Sequence, residues 1–389
     1  MKSKQVAIVG AGFVGLLVAR LLRIRLPHQV TVTLIDSKDH FLFTPRLIDL
    51  LAGEHPTSLR IDIQAFAKKY GFDFVKAEVK HVDRATQQVS FEETNGSLRK
   101  MTYDKVVVCC GARPSFYDVP GARQYAFPLK AIEHVERIHA QANVLLSRAR
   151  LATKEKEKRA LLSFVAVGGG AAGIEALFAL RQYVFGLCVG SEEEVKPYMS
   201  FALVQAAPQI LSGFEPTVVA CSMMELSKAG VKIFIGEPVT HVASDYLVTG
   251  RTERIPAQLI LWCAGLEAHD LSIDPDAHRR PSGFIPVDAY LRVDENMFAG
   301  GDVAFYREKN LVMPKNAQTA FLMAYNITEN IVRSLHHQKL RPFHYVSHGN
   351  ILLLGKTGIL DLNGVCLHTR LTPWIRDLFY RFRYWQMTH

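Results

Sequence analysis

The residues best placed to do chemistry are glycines. Gly10-Ala11-Gly12-Phe13-Val14-Gly15 follows the apolar run Val6-Ala7-Ile8-Val9 and precedes Leu16-Leu17-Val18-Ala19-Arg20-Leu21-Leu22. The order is strand, tight turn, helix. Gly10 allows the turn, Gly12 lets the backbone approach a pyrophosphate, and Gly15 lets the helix pack close on the strand. The first helical amides and the helix dipole then face the phosphates. A second strand, Val30 to Ile35, ends in Asp36. That is about twenty residues past the last glycine, where an acid meets a ribose hydroxyl pair.

The pattern recurs. Ser163 to Val167 leads into Gly168-Gly169-Gly170-Ala171-Ala172-Gly173, and Ser200 to Val204 is the second strand of that unit. Here the expected acid is replaced by Gln205. An acid selects NADH by bonding the ribose hydroxyls and repelling a 2′-phosphate. Glutamine keeps a hydrogen bond without the repulsion, so weak discrimination between NADH and NADPH is expected. The strand from Lys105 to Cys110 breaks at Gly111-Ala112, and that from Leu259 to Cys263 breaks at Ala264-Gly265. Two units with the same ending argue for two stacked nucleotide domains and add Gly111 and Gly265 to the candidate cofactor contacts. A third signal is the short strand from Met297, which ends in Gly300-Gly301-Asp302 and is followed by helical spacing from Ala317 to Leu335.

The chain has 389 residues, 49% hydrophobic and 21% charged, enough for two core-bearing domains and a small third. Its net charge of +9 suits anionic cofactors or an anionic membrane, and no nucleic-acid motif accompanies it. Six cysteines show no CxxC and no zinc spacing, so no metal site is expected, and free thiols suit a reducing compartment. Cys109, Cys110 and Cys263 lie in apolar strands and read as core. The first strand begins near Val6, which predicts no signal peptide. The most apolar stretch, Ala160 to Leu180, is interrupted by glycines and Glu175 and reads as a glycine turn rather than a membrane span. A cytoplasmic, soluble or peripheral protein is expected.

The remaining segments complete the frame. Ser37 to Arg46, aromatic and basic, reads either as a loop near a ligand or as one packed by its own aromatics. Asn95-Gly96 predicts a hairpin turn. Residues 131–158 read as helical, with the charge run 154–158 on a solvated face. Strands are expected near Asn350 to Leu354 and Gly364 to Leu367. Thr372 and Pro373 start a terminal helix, with Thr372 as its N-cap. Trp374, Ile375, Leu378, Phe379, Phe382 and Trp385 fall on one side, with Arg376, Arg381 and Arg383 on the flanks or the opposite side. That is the composition of an interfacial helix. The alternative is a helix packed on its own domain or on a dimer partner.

Two dinucleotide turns and a late Gly-Asp resemble the two-dinucleotide-binding-domain flavoproteins over nearly the whole chain. Within these the sequence looks most like the type II NADH dehydrogenases, the single-subunit NADH:quinone oxidoreductases. The likeness is carried by Leu34-Ile35-Asp36, His40-Phe41-Leu42-Phe43 with Pro45, Gly111-Ala112-Arg113-Pro114, Gly168 to Glu175, Ala317-Gln318-Thr319-Ala320, and the stretch from Phe343-His344-Tyr345 to Gly355. The resemblance implies an α/β fold of two Rossmann-like domains, the second inserted in the first, with a small C-terminal α+β region. Residues 1–115 and 286–336 would form the FAD domain, 116–285 the NAD(P)H domain, and 337–389 the C-terminal region with a membrane-docking helix.

The resemblance also implies roles. Gly10, Gly12, Gly15 and Asp36 would hold the pyrophosphate and adenosine ribose of FAD. Asp302, beside Gly301, would hold its ribityl or phosphate end. Gly168, Gly170 and Gly173 would hold the pyrophosphate of NADH or NADPH. Glu175 would sit near the nicotinamide, and Gln318 would line a quinone pocket. The implied partners are a quinone and a membrane surface, with a homodimer left open. Three features depart from the family pattern: Gln205 replaces an acid, Leu322 stands where the quinone motif has a second glutamine, and the C-terminal extension is short. The segment Phe41 to Tyr70 holds no cysteine, which excludes the CxxxxC disulfide reductases. A sulfide:quinone reductase using the distant Cys188, Cys221 or Cys366, and a slow-turnover regulatory flavoprotein, are the alternatives.

Overall fold

The computed structural model describes residues 3–188, 190–251, 254–277, 282–309, 311–362 and 365–389. The strand Lys4–Val9 is central to the first sheet. It pairs in parallel with Val30–Asp36 on one side and Lys105–Val108 on the other. Met297–Ala299 adds in parallel beyond Lys105–Val108, so the strand before Gly301 and Asp302 returns beside the first glycine turn. Asp73–Asp83 extends the other edge in parallel and continues into the antiparallel strands Gln88–Glu93 and Leu98–Thr102. Their hairpin turns at Asn95-Gly96, where Gly96 has φ +83° and the Asn95 carboxamide accepts the Ser97 N–H at 2.9 Å.

The second sheet has five parallel strands in the order Ala126–Pro128, Leu259–Trp262, Ser163–Val167, Ser200–Gln205 and Val231–Ile235. Unbroken apolar runs are what such strands need, since helices cover both faces. Val6, Ala7 and Ile8 are fully buried, as is Ala166. The fold is α/β with two parallel-sheet units, as expected. The chain crosses between them along a two-stranded antiparallel ribbon of Ala112–Pro114 and Leu266–Ala268. Ser272–Asp274 then pairs in parallel with Asp73–Asp83 of the first sheet.

Two local readings are corrected, and one of two open alternatives is met. Residues 131–158 form two helices, Ile132–Leu151 and Glu155–Leu161. The charge run is a helix of its own, with Glu155 and Glu157 in its first turn and Lys158 and Arg159 in its last, the order the helix dipole favours. The loop after Asp36 is packed by its own aromatics: Phe41 and Phe43 are buried and meet Phe13 edge-on at 5.0 and 5.4 Å. Thr372 is already helical, and its Oγ1 donates to the Gly358 carbonyl at 2.9 Å rather than capping; the N-cap is Leu371.

Near the C-terminus, Asn350–Leu354, Thr357–Leu362 and Val365–Thr369 form an antiparallel sheet; the expected strand residue Gly364 lies outside the described residues. The terminal helix Thr372–Thr388 follows. Its inner face docks on the first unit. Arg376, expected at the helix surface, is 4% exposed and pairs with Asp49, itself 3% exposed. Arg46 bridges Asp49 at 2.9 Å and Asp377 at 2.7 Å. Tyr70 and Lys69 donate to the Thr388 carbonyl at 2.6 and 2.9 Å, and Arg20 to that of Met387 at 2.9 Å. The outer face leaves Trp374, Leu378, Phe382 and Trp385 exposed at 67, 56, 50 and 54%, while Ile375 and Phe379 are partly covered. No helix among the described residues is long and apolar enough to cross a membrane.

The buried ion cluster makes a direct prediction. Asp49→Ala leaves two buried guanidinium groups short of a partner, which costs about 3–5 kcal/mol. The urea unfolding midpoint should fall accordingly, and limited trypsin should release the terminal helix earlier than in the wild type. Unchanged unfolding would show that the cluster does not hold the helix.

Candidate functional site

The two glycine turns repeat each other atom for atom. Gly10 and Gly168 have φ of +105° and +109°, and a Cβ on either would lie 2.6 or 2.5 Å from the carbonyl oxygen of Cys109 or Cys263. A Cβ on Gly15 or Gly173 would lie 1.9 Å from the oxygen of Gly10 or Gly168. Both positions therefore demand glycine. Gly12 and Gly170 differ: a Cβ on Gly170 would meet nothing within 4 Å, and one on Gly12 only the Cys109 oxygen at 4.0 Å. That open side is where a ligand can approach. Both helices begin there with no side-chain cap and no acid in the first turn, so their amides remain available to an anion. A pyrophosphate fits both cradles.

The ribose ends of the two turns also correspond. The Ala11 N–H donates to Asp36 Oδ2 at 2.6 Å, and the Gly169 N–H donates to Gln205 Oε1 at 2.9 Å. Gln205 takes the place of Asp36 in the second unit without its charge, and its Nε2 donates to the Gln209 carbonyl at 3.2 Å. Gly111 has φ +74° and open space at its Cβ position, whereas Gly265 lies under the Tyr117 ring.

The late Asp302 lies in the turn Gly301–Val303 and meets Lys130 Nζ at 3.3 Å. Its cleft is lined by Gly301, Lys315, Asn316, Thr319 and Met323. Asn316 caps the helix Ala317–Leu335 through the Thr319 N–H at 2.8 Å. Thr319 Oγ1 is buried with no hydrogen-bond partner, a donor awaiting an acceptor.

Glu175 and Gln318 fall in different surroundings. Gln318 opens its helix and donates to the Val346 carbonyl at 3.3 Å. Glu175 accepts the Leu353 N–H at 2.8 Å and lines a cavity of about 130 Å³ with Phe178, Asp49 and Arg376; Gln318 is not among its walls. Burial pushes the Glu175 carboxyl up to about 7, against the pull of the Leu353 bond. Three thiols, Cys109, Cys263 and Cys366, are raised. Burial pushes Cys109 well above its ordinary range and Cys263 up to about 12. Cys221 and Cys366 are neighbours, and burial, with Cys221 beside it, raises Cys366. Reactive cysteines are shifted the other way.

The profile of the pyridine nucleotide-disulphide oxidoreductases matches residues 4–324. The chain belongs to this family. A probable NADH dehydrogenase of Dictyostelium discoideum is 30% identical over 86% of this chain and 77% of its own length. An external alternative NAD(P)H-ubiquinone oxidoreductase B4 of Arabidopsis thaliana is 25% identical over 80% of this chain, which spans only 56% of that relative. Among solved structures, NDH2 of Plasmodium falciparum in complex with NADH has a TM-score of 0.87 at 16% identity, covering 100% of this chain and 98% of that one. The sulfide:quinone oxidoreductase of Aquifex aeolicus has a TM-score of 0.81 at 16% identity, covering 99% and 92%. At this identity the two likenesses show a shared fold.

The sequence reading passed over Lys130, Lys315 and the Arg46–Asp49–Arg376 cluster. A lysine immediately before an Asn N-cap was visible, but its cleft was not. The cluster joins residues more than 300 positions apart, which no local pattern reports.

The raised Glu175 carboxyl predicts a pH-dependent stability. Below its ordinary 4.5, folded and unfolded chains are both protonated and nothing is lost. Between 4.5 and about 7 the folded chain holds a proton that the unfolded chain has released, so stability falls as pH rises. Glu175→Gln should therefore melt with the wild type near pH 4.5 and above it past pH 7. Equal melting at both ends would mean the carboxyl is not held neutral.

Proposed function

We propose that the chain is an FAD-dependent NAD(P)H:quinone oxidoreductase of the type II NADH dehydrogenase kind. The observation that carries this reading is the duplicated cradle, with Asp36 closing one turn and Gln205 the other. Two such turns call for two dinucleotides, and Asp302 returns beside the first. Bound FAD supplies the exchange between a two-electron hydride donor and a quinone. The chain's own work is positioning. The amides around Gly12 and Gly170 take the two pyrophosphates, Asp36 and Gln205 take the riboses, and Asp302 takes the ribityl chain. Gly111 and Gly265 border the two cofactors. Glu175, whose carboxyl burial raises to about 7, would sit near the nicotinamide, half-protonated at neutral pH and able to hold or release a proton there. Gln318 lines the acceptor side, where Leu322 contributes apolar surface in place of a second amide. A sulfide-dependent activity lost on substituting Cys188, Cys221 or Cys366 would favour the sulfide:quinone reductase alternative, and measurable quinone turnover separates the enzyme from a slow regulatory flavoprotein.

The test is anaerobic. The purified chain should be yellow, its flavin should bleach with NADH and with NADPH, and a quinone should restore the colour. A chain that cannot take up FAD overturns the proposal. Gln205→Glu should raise KM for NADPH about tenfold, because a like charge facing the 2′-phosphate costs a kcal/mol or more, and leave NADH nearly unaffected. A wild type that already rejects NADPH would contradict this account of Gln205.

The exposed face of the terminal helix is proposed to dock on a membrane from the cytoplasmic side, where the quinone dissolves; a second copy of the chain is the competing occupant. Aromatic side chains beside arginines are what an interfacial helix uses. Trp374→Ser with Phe382→Ser should weaken binding to anionic liposomes about tenfold or more, since burying one such side chain is worth ~1.5–3 kcal/mol. Turnover of a water-soluble quinone should persist. Unchanged liposome binding, with a dimer that falls apart, would assign the face to a homodimer.

A further inference from the structure

The cleft beyond Asp302 has an unusual lining. Its one carboxylate, Asp302, is already engaged by Lys130 at 3.3 Å. Its other polar side chains are Lys315, Asn316 and Thr319, set beside apolar Met313, Pro314, Ala320 and Met323, so Lys315 brings the one positive charge of the lining. The helix Ala317–Leu335 starts there, adding the partial positive charge of its N-terminus. Thr319 Oγ1, in a residue 3% exposed, has no partner. Lys315 Nζ donates to the carbonyls of Asp302 and Ala304, the latter at 3.3 Å, and rests over the Phe284 ring at 3.6 Å. Desolvation lowers the Lys315 ammonium to about 8, so it is still mostly charged at neutral pH. Its three N–H donors exceed the two carbonyls it reaches.

Such a wall asks for an acceptor edge that gains negative charge. If FAD lies with its pyrophosphate on the first turn and its ribityl chain at Asp302, its ring system continues toward this cleft. The ring offers one suitable edge, N1 with C2=O, where negative charge collects when the flavin takes up two electrons. We propose that Lys315 is a positioning and electrostatic residue for the flavin, its ammonium and the Ala317 helix start together stabilising the anionic reduced pyrimidine edge. The assignment rests on the FAD reading given above. It makes the chain a better electron acceptor from the nicotinamide through a residue outside both glycine turns.

The experiment compares purified holoenzymes with Lys315→Gln and Lys315→Arg. Glutamine keeps a donor for the Asp302 and Ala304 carbonyls and removes the charge, whereas arginine keeps the charge. The readout is the two-electron flavin midpoint potential, measured by anaerobic equilibration against a reference dye. Lys315→Gln should favour the reduced flavin at least tenfold less, a fall of about 30 mV for a two-electron couple, and Lys315→Arg should restore a near wild-type value. Loss of flavin from the glutamine variant alone, with melting unchanged, supports the same assignment, because only charge separates the two variants. A glutamine variant with the wild-type potential overturns it, as does loss of flavin from both variants, which would make Lys315 a clamp on two carbonyls. A wild type that takes up no FAD overturns the FAD reading itself, and the assignment with it.

Discussion

A helix and a turn meet twice in this molecule with no side chain between them. Gly15 lies against the Gly10 carbonyl, and Gly173 against that of Gly168, with room for a hydrogen atom and nothing larger. Everything functional follows from that approach. It brings the first amides of each helix over the end of the central strand, where the open sides of Gly12 and Gly170 leave room for a phosphate to approach. It also sets the height of the next strand's end, so that Asp36 and Gln205 can reach the backbone of their turns.

A second constraint acts far from the turns. Arg46 and Asp49 come from the first unit, Glu175 from the second, and Arg376 from the terminal helix, and all line one cavity. Charges buried to this degree persist only with partners in place, and here Arg46 and Asp49 of the first unit pair with Asp377 and Arg376 of the terminal helix. The terminal helix is therefore attached by its polar inner face and leaves its aromatic face outward. The sequence alternatives of membrane helix and packed helix are not exclusive: one face packs on the chain while the opposite face stays exposed.

The Rossmann units were legible because their signals are local. A strand, three glycines and a helix lie within about twenty residues, and backbone sterics require the first and third glycine of each turn. The helix Ala317–Leu335 was legible to the residue for the same reason, since its apolar spacing is regular and Asn316 caps it. What escaped was non-local or sterically unmarked. The buried role of Arg376 depends on Asp49, 327 positions away. The strand Thr357–Leu362 was missed beside its two recognised neighbours. The break at 152–154 replaced one expected helix by two. Lys315 went unmarked because desolvation is a property of the cleft and not of the residue.

The ribbon of Ala112–Pro114 and Leu266–Ala268 carries a mechanical consequence. The chain leaves the first unit and re-enters it along two strands bonded to each other, and Ser272–Asp274 then locks into the first sheet. Single-chain linkers swivel; paired strands resist torsion. The second unit is thus joined to the first by a bonded pair of strands rather than by two independent linkers, which limits its swivel and with it the range of spacings open to the rings of a bound donor and acceptor. For a hydride, whose transfer needs reacting atoms roughly 3–3.5 Å apart, that limit is built into the chain's return path.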